Sequence, residues 1–242
     1  MPVRGTRMPL SQIMRSPALM PRGFAAAALI LLCGCATTHA PSVAELRASA
    51  EDGDTSAQVD LGDAYASGRG VAQSYAEAAR WYARAADGGD QAAQCDLGTL
   101  YLGGEGVAKD YAKAVELLKK SAAQGFPKAE FSLGLVYLGG LGVSRDLVAG
   151  QQWYLKAAEH GYPEAMLSLG VIYHDGIGVT CNLVEAYKWV NLAVHFTDEG
   201  YDPRIRARVR DALEKLKPQL SRQELQEAER RSEEWFEVYQ ES

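Results

Sequence analysis

An internal period of 36 residues constrains this chain more than any other feature. Leu-Gly returns at Leu61-Gly62, Leu97-Gly98, Leu133-Gly134 and Leu169-Gly170. The same register carries Ala57, Ala93, Ala129 and Ala165, then Tyr65, Tyr101, Tyr137 and Tyr173, and a Gly-x-Gly-Val motif starting at Gly68, Gly104, Gly140 and Gly176. Self-similarity held over four copies is the mark of stacked supersecondary units, each too small to bury its own apolar side.

Each unit reads as two helices. In the third copy Ala129, Leu133, Val136 and Tyr137 fall at i, i+4, i+7 and i+8, one stripe of a 3.6-residue period. A glycine inside that helix costs about 1 kcal/mol relative to alanine, so Gly134 implies a backbone passing close by. Pro127 and Pro163 suit a first helical turn, where the missing N–H is no loss. Gly-x-Gly-Val ends the helix, because glycine takes positive φ without penalty. The second helix follows Ser74, Asp110, Asp146 or Asn182, all side chains that cap free N–H groups. Its apolar face is Ala78, Trp81, Tyr82 and Ala85 in the first copy and Trp153, Tyr154 and Ala157 in the third, and Gly89, Gly125 and Gly161 end it. Leu46, Ala50 and Gly53 occupy the places of Tyr82, Ala86 and Gly89, so the array opens with half a unit.

These motifs resemble the Sel1-like repeat, a relative of the tetratricopeptide repeat. The resemblance implies an all-α fold, an α-solenoid of antiparallel helix pairs that holds other proteins. The expected organisation is a half-repeat capping helix over 43–54, four repeats over 55–200 and a C-terminal two-helix cap over 201–242. In that cap, Pro203 opens a helix with Ile205, Val209, Ala212, Leu213 and Leu216 on one face. Ser221 with Glu224 forms a capping box for the last helix, whose inward residues are Leu225, Ala228, Ser232, Trp235 or Phe236, and Tyr239. Segment 204–217 holds six basic and two acidic residues, and 218–242 three basic and seven acidic, which predicts attraction between the two helices. Arg204, Arg206, Arg208 and Arg210 are spread around their helix by i, i+2 spacing; an anion or headgroup contact is the alternative reading. Asp211–Lys215 and Arg210–Glu214 have i, i+4 spacing, worth about 0.2–0.5 kcal/mol each.

The N-terminus reads as an address. Phe24–Leu32 is a nine-residue apolar run, too short to cross a bilayer but suited to a signal-peptide core. Leu32-Cys33-Gly34-Cys35 resembles the lipobox of bacterial lipoproteins. The resemblance implies removal of residues 1–34 and lipidation of Cys35, with 35–42 as a tether, and Ala36 after the cysteine implies outer-membrane sorting. A plain secretory signal or an interfacial anchor is the alternative. Met14 or Met20 would start a more typical signal than Met1.

Charge bounds the partners. The whole chain carries −6, but residues 1–34 hold four arginines and no acid, leaving 21 basic and 31 acidic side chains beyond them, net −10. Such a surface repels a phosphate backbone, so nucleic acid is not an expected partner. The histidines His39, His160, His174 and His195 are scattered, with no metal-ligand spacing and no nucleophile elbow anywhere. No catalytic residue, metal, cofactor or small-molecule substrate is expected. Cys95 takes the place of Val59, Phe131 and Leu167, so it should be buried; Cys181 takes that of Gln73, Lys109 and Arg145, so it should be exposed, and no disulfide is expected between them.

Positions identical among copies serve packing, so recognition belongs where copies differ. By analogy with tetratricopeptide arrays, the first helices line the inner surface. There Asp63, Thr99, Leu135 and Val171 drift from polar to apolar, and Leu102, Leu138 and His174 extend them into a candidate partner groove. Packing against the loops or the cap is the competing role. The function this supports is a non-enzymatic scaffold or adaptor, lipid-anchored to the outer membrane, facing the periplasm and binding envelope proteins. The alternatives are a soluble periplasmic regulator that inhibits a sensor or enzyme by binding it and, less favoured, an envelope hydrolase or peptidoglycan-binding protein.

Overall fold

The computed structural model describes residues 42–198 and 200–241. The expected signal peptide, Cys35, the tether up to residue 41 and the alternative start residues lie outside the described residues. Within them the chain forms α-helices and no strand: α1 (Val43–Glu51), α2 (Thr55–Ser67), α3 (Tyr75–Asp87), α4 (Gln91–Gly103), α5 (Tyr111–Ala122), α6 (Pro127–Gly139), α7 (Leu147–Glu159), α8 (Pro163–Asp175), α9 (Leu183–His195), α10 (Pro203–Leu216) and α11 (Arg222–Glu241). A short 3-10 turn, Lys217–Gln219, joins the last two.

Local chemistry sets the ends. The side chains of Ser74, Asp110, Asp146 and Asn182 accept hydrogen bonds from the N–H groups of Glu77, Lys113, Ala149 and Glu185 at 2.9–3.3 Å. Asp54 and Asp90 cap α2 and α4 in the same way, while Pro127 and Pro163 open α6 and α8 without a side-chain cap. Ser42 and Glu45 form a reciprocal capping box on α1.

Successive helix pairs α2–α3, α4–α5, α6–α7 and α8–α9 are hairpins, and each second helix also packs on the first helix of the next unit. Ala93, Ala129 and Ala165 of the repeat register are fully buried, as are Leu61, Leu133 and Leu169. Tyr65 is buried, whereas Tyr101, Tyr137 and Tyr173 are half-buried. The glycine after each leucine is the crossing point of its hairpin: a Cβ on Gly134 would lie 2.4 Å from the Tyr154 ring, and one on Gly170 2.4 Å from Val190. The loop glycines do more than stop helices. The second glycine of each loop rests on the first residue of the preceding unit's second helix, so a Cβ on Gly106, where φ is +68°, would meet Tyr75 carbonyl carbon at 2.2 Å. The motif is periodic because every unit must seat its loop on the unit before it.

A polar ladder also links units. Gln58 and Gln94 donate to the Ala50 and Ala86 carbonyls at 3.0 and 3.3 Å, and Gln124 donates to Gln94 at 3.0 Å. One unit on, the Gln94–Gln124 pair becomes Glu130 and His160, 2.7 Å apart.

The C-terminal helices depart from the expected mutual attraction. Both pack on α9: α11 buries Ala228 and Ser232, and α10 buries Val209 and Leu216. The charge contact α11 makes with the repeats is Arg231 to Glu185 of α9 at 2.7 Å. Lys215 and Asp211 pair at 2.7 Å. Arg210 and Glu214, at the same spacing, form no ion pair.

Candidate functional site

The variable first-helix positions separate into three groups. Leu135 and Val171 are apolar and about half exposed, at 47% and 49%. Thr99 is exposed, its hydroxyl donating to the Cys95 carbonyl at 3.0 Å. Asp63 and Leu138 are engaged inside their own units, and Leu102 on a core shared with the next. Asp63 accepts a hydrogen bond from the Tyr82 hydroxyl at 2.6 Å, Leu102 packs on the core around Leu118 and Leu133, and Leu138 covers Gly150, where a Cβ would lie 2.6 Å away.

His174, the last of the candidates, opens onto an apolar cleft of about 730 Å³ that it shares with Val171. One wall is α8, with Leu167, Val171 and His174 at i, i+4 and i+7, a single helix face. Val190 of α9 makes the floor, and Ala212, Leu216, Pro218 and Gln219 of α10 and its 3-10 turn make the other wall. His174 Nδ1 lies 2.5 Å from Asp175 and Nε2 lies 3.3 Å from Gln219. The hydrogen bond to Asp175, helped by Gln219, holds the imidazole above its ordinary pKa. The α10 wall was not visible in the repeat register, yet a signal existed. Ile205, Val209, Ala212 and Leu213 repeat the stripe Ala165, Leu169, Ile172 and Tyr173 at an offset of 40 residues, so α10 stands as a fifth first helix.

Other reactive groups are dispersed. Cys95 is fully buried, its thiol pushed up to about 12 by burial, and Cys181 is exposed with its thiol donating to the His174 carbonyl at 3.1 Å. Among the described residues no group of three or more His, Cys, Asp or Glu side chains is placed to hold a metal ion. No described helix is long and apolar enough to cross a membrane.

The Sel1 repeat family model matches residues 55–90, 91–126, 127–162 and 163–194. The chain belongs to the Sel1 repeat family. Its architecture is the α-solenoid of that family, and Sel1 repeats are protein-binding scaffolds as a class. A Sel1 repeat protein from Oxalobacter formigenes is 28% identical with a TM-score of 0.54, over 67% of this chain and 71% of that one. A protective antigen present in uropathogenic Escherichia coli strains, displaying an SLR fold, is 29% identical with a TM-score of 0.49; 81% of this chain covers 48% of it, about half its length. An immunity protein from Pseudomonas aeruginosa, Pa5087, is 19% identical with a TM-score of 0.48, over 72% and 73% of the two chains. No curated protein matches the chain.

Proposed function

We propose that this Sel1 repeat protein is a non-enzymatic adaptor of the bacterial envelope, held at the outer membrane by lipid on Cys35 and facing the periplasm, whose first-helix face captures a partner protein. The observation that carries the reading is the pair Leu135 and Val171, exposed apolar side chains one unit apart in register, the second on the wall of the apolar cleft. Each is a residue a lone scaffold has no packing use for, and each offers an anchor to an incoming segment. The lipobox-like Leu32–Cys35 supports the address, since a lipid confines a scaffold to a surface and raises its effective concentration there.

The test is the double substitution Leu135→Glu with Val171→Glu. In-envelope crosslinking with mass spectrometry identifies what the native protein holds; the double variant is expected to lose that crosslink with its melting temperature unchanged. A collapsed melting temperature would assign both residues to packing and overturn the reading. Palmitate labelling that disappears in Cys35→Ala tests the anchor, and a chain that never takes the label is a soluble periplasmic regulator instead.

A further inference from the structure

In the four hairpins the flank of each first helix that bears the Leu-Gly glycine is covered by the second helix. Cβ atoms there would lie 2.5 Å from Tyr82, 3.1 Å from Leu118, 2.4 Å from Tyr154 and 2.4 Å from Val190. Shifting by the 40-residue offset that aligns α10 with α8 puts Arg210 at the place of Gly170 and Arg206 at the place of the fully buried Met166. An arginine where the backbone of a second helix must pass excludes the hairpin. In the structure the helix that follows, α11, packs mainly on α9.

That flank of α10 is open and carries Arg206, Arg210 and Lys217 against one acid, Glu214, so it is basic on balance. Arg210 and Lys217 are exposed, and Arg206 is half-buried with its guanidinium donating to the Asp198 carbonyl at 3.3 Å. Arg204 and Arg208 are exposed on the opposite side of the same helix. The ion pair within α10 is Lys215 with Asp211, which leaves Arg204, Arg208, Arg210 and Lys217 without a carboxylate among the described residues. Among the described residues no ion pair joins the acidic α11 to them. Unpaired cations are thus concentrated on one helix of a chain that is otherwise net acidic.

We infer that this open flank of α10 is a second docking face, which takes an acidic helix of a partner protein. Two observations choose that occupant. On each of the four preceding first helices this flank carries a helix, so a helix is the element that fits it once the approach is wider. The guanidinium fork pairs carboxylates bidentately, and arginine side chains reach far enough to do so at the wider spacing that Arg210 imposes. Leu135 and Val171, on α6 and α8, are not part of this face, so its failure would leave the proposed function standing.

The probe is a fluorescently labelled alanine-based helical peptide of about 20 residues, long enough to hold helix in water, with glutamates along one face. It is titrated against the purified protein beside an isosteric glutamine peptide and vesicles of phosphatidylglycerol with phosphatidylethanolamine. The expected result is binding of the glutamate peptide alone, weakened by salt and weakened about tenfold or more by Arg210→Glu with Lys217→Glu. Lys113→Glu with Lys119→Glu on α5, as the control, is expected to change it less than about twofold. If the reversed variant melts early, Arg210→Gln with Lys217→Gln decides in its place. No peptide binding, equal loss in the α5 control, or binding to the vesicles in place of the peptide would overturn the inference, the last in favour of a lipid surface.

Discussion

At the scale of single residues, glycines and histidines carry the sharpest consequences. The Leu-Gly and loop glycines differ in what an added methyl would strike, and that sets an order of damage. At Gly134 a Cβ meets the Tyr154 ring at 2.4 Å, and that ring is 2% exposed, with no room to retreat. Gly134→Ala is expected to lose about 2 kcal/mol of stability despite the better helix propensity of alanine. At Gly98 the nearest atoms are Leu118 Cγ at 3.1 Å and the Ala114 carbonyl oxygen at 3.3 Å, an overlap a few tenths of an ångström of give would relieve, so Gly98→Ala should cost markedly less. Gly106→Ala should cost most, because its obstacle is the Tyr75–Ala76 backbone and its φ is positive. Urea unfolding of the three variants tests the order. The histidines make a second prediction at this scale. His174 is held up by its hydrogen bond to Asp175, while burial against Phe236, with ring centroids 4.4 Å apart, pushes His195 down. Proton NMR titration is expected to find His174 titrating above 6.5 and His195 below it, and Asp175→Asn is expected to bring the first down without moving the second.

Among elements, the decisive joint is α9 with α11. Burial works against the Glu185 carboxylate, but hydrogen bonds from Arg231 and Lys188 outweigh it and hold the group below the usual carboxylate range. A pKa lower in the folded chain than in the unfolded one stabilises the fold above the unfolded value near 4.5, and that stability is lost as pH falls through the folded value. Arg231→Met is therefore expected to loosen α11 at neutral pH and to flatten the pH dependence of melting below about pH 5, read by circular dichroism. Why α11 sits on α9 at all is the part of the fold that sequence reading did not reach. Helix ends were legible because Ser74, Asp110, Asp146 and Asn182 act within three residues of themselves. The stacking was legible because Leu-Gly and the loop glycines repeat. The cap was not, because charge balance pointed α10 toward α11, whereas α11 packs on α9, and the kinship of α10 with the first helices shows only when it is aligned on the repeats at an offset of 40 in place of 36. The same blind spot hid the α10 wall of the cleft, and the Gln58–Gln94–Glu130 ladder escaped because its residue types change from copy to copy.

For the molecule as a whole, the buried apolar residues fall into three clusters along the array and not into one core. One runs from Ala50 to Leu100, one from Cys95 to Val136 and one from Tyr154 to Ala228. In a stacked array, stability is a sum of unit terms and neighbour interfaces, so the ends need not melt together. The two ends are unequal. α1 offers a single fully buried residue, Ala50, to α2, whereas α8 buries seven of its own and α9 is covered by α8, α10 and α11. Aromatic rings thicken that end further, with Trp189 edge-on to Trp235 at 5.9 Å and Phe196 edge-on to Tyr239 at 5.0 Å. The chain's four tryptophans place reporters at both ends, Trp81 in α3 and Trp189 in α9. Variants that keep only one of those two indoles are expected to unfold at different urea concentrations, Trp81 first, with amide exchange fastest in α1 and slowest in α8 and α9. Coincident transitions, with uniform exchange, would instead make the whole solenoid one cooperative unit, and the middle cluster around Leu118 and Leu133 would then have to couple its neighbours more strongly than its small size implies.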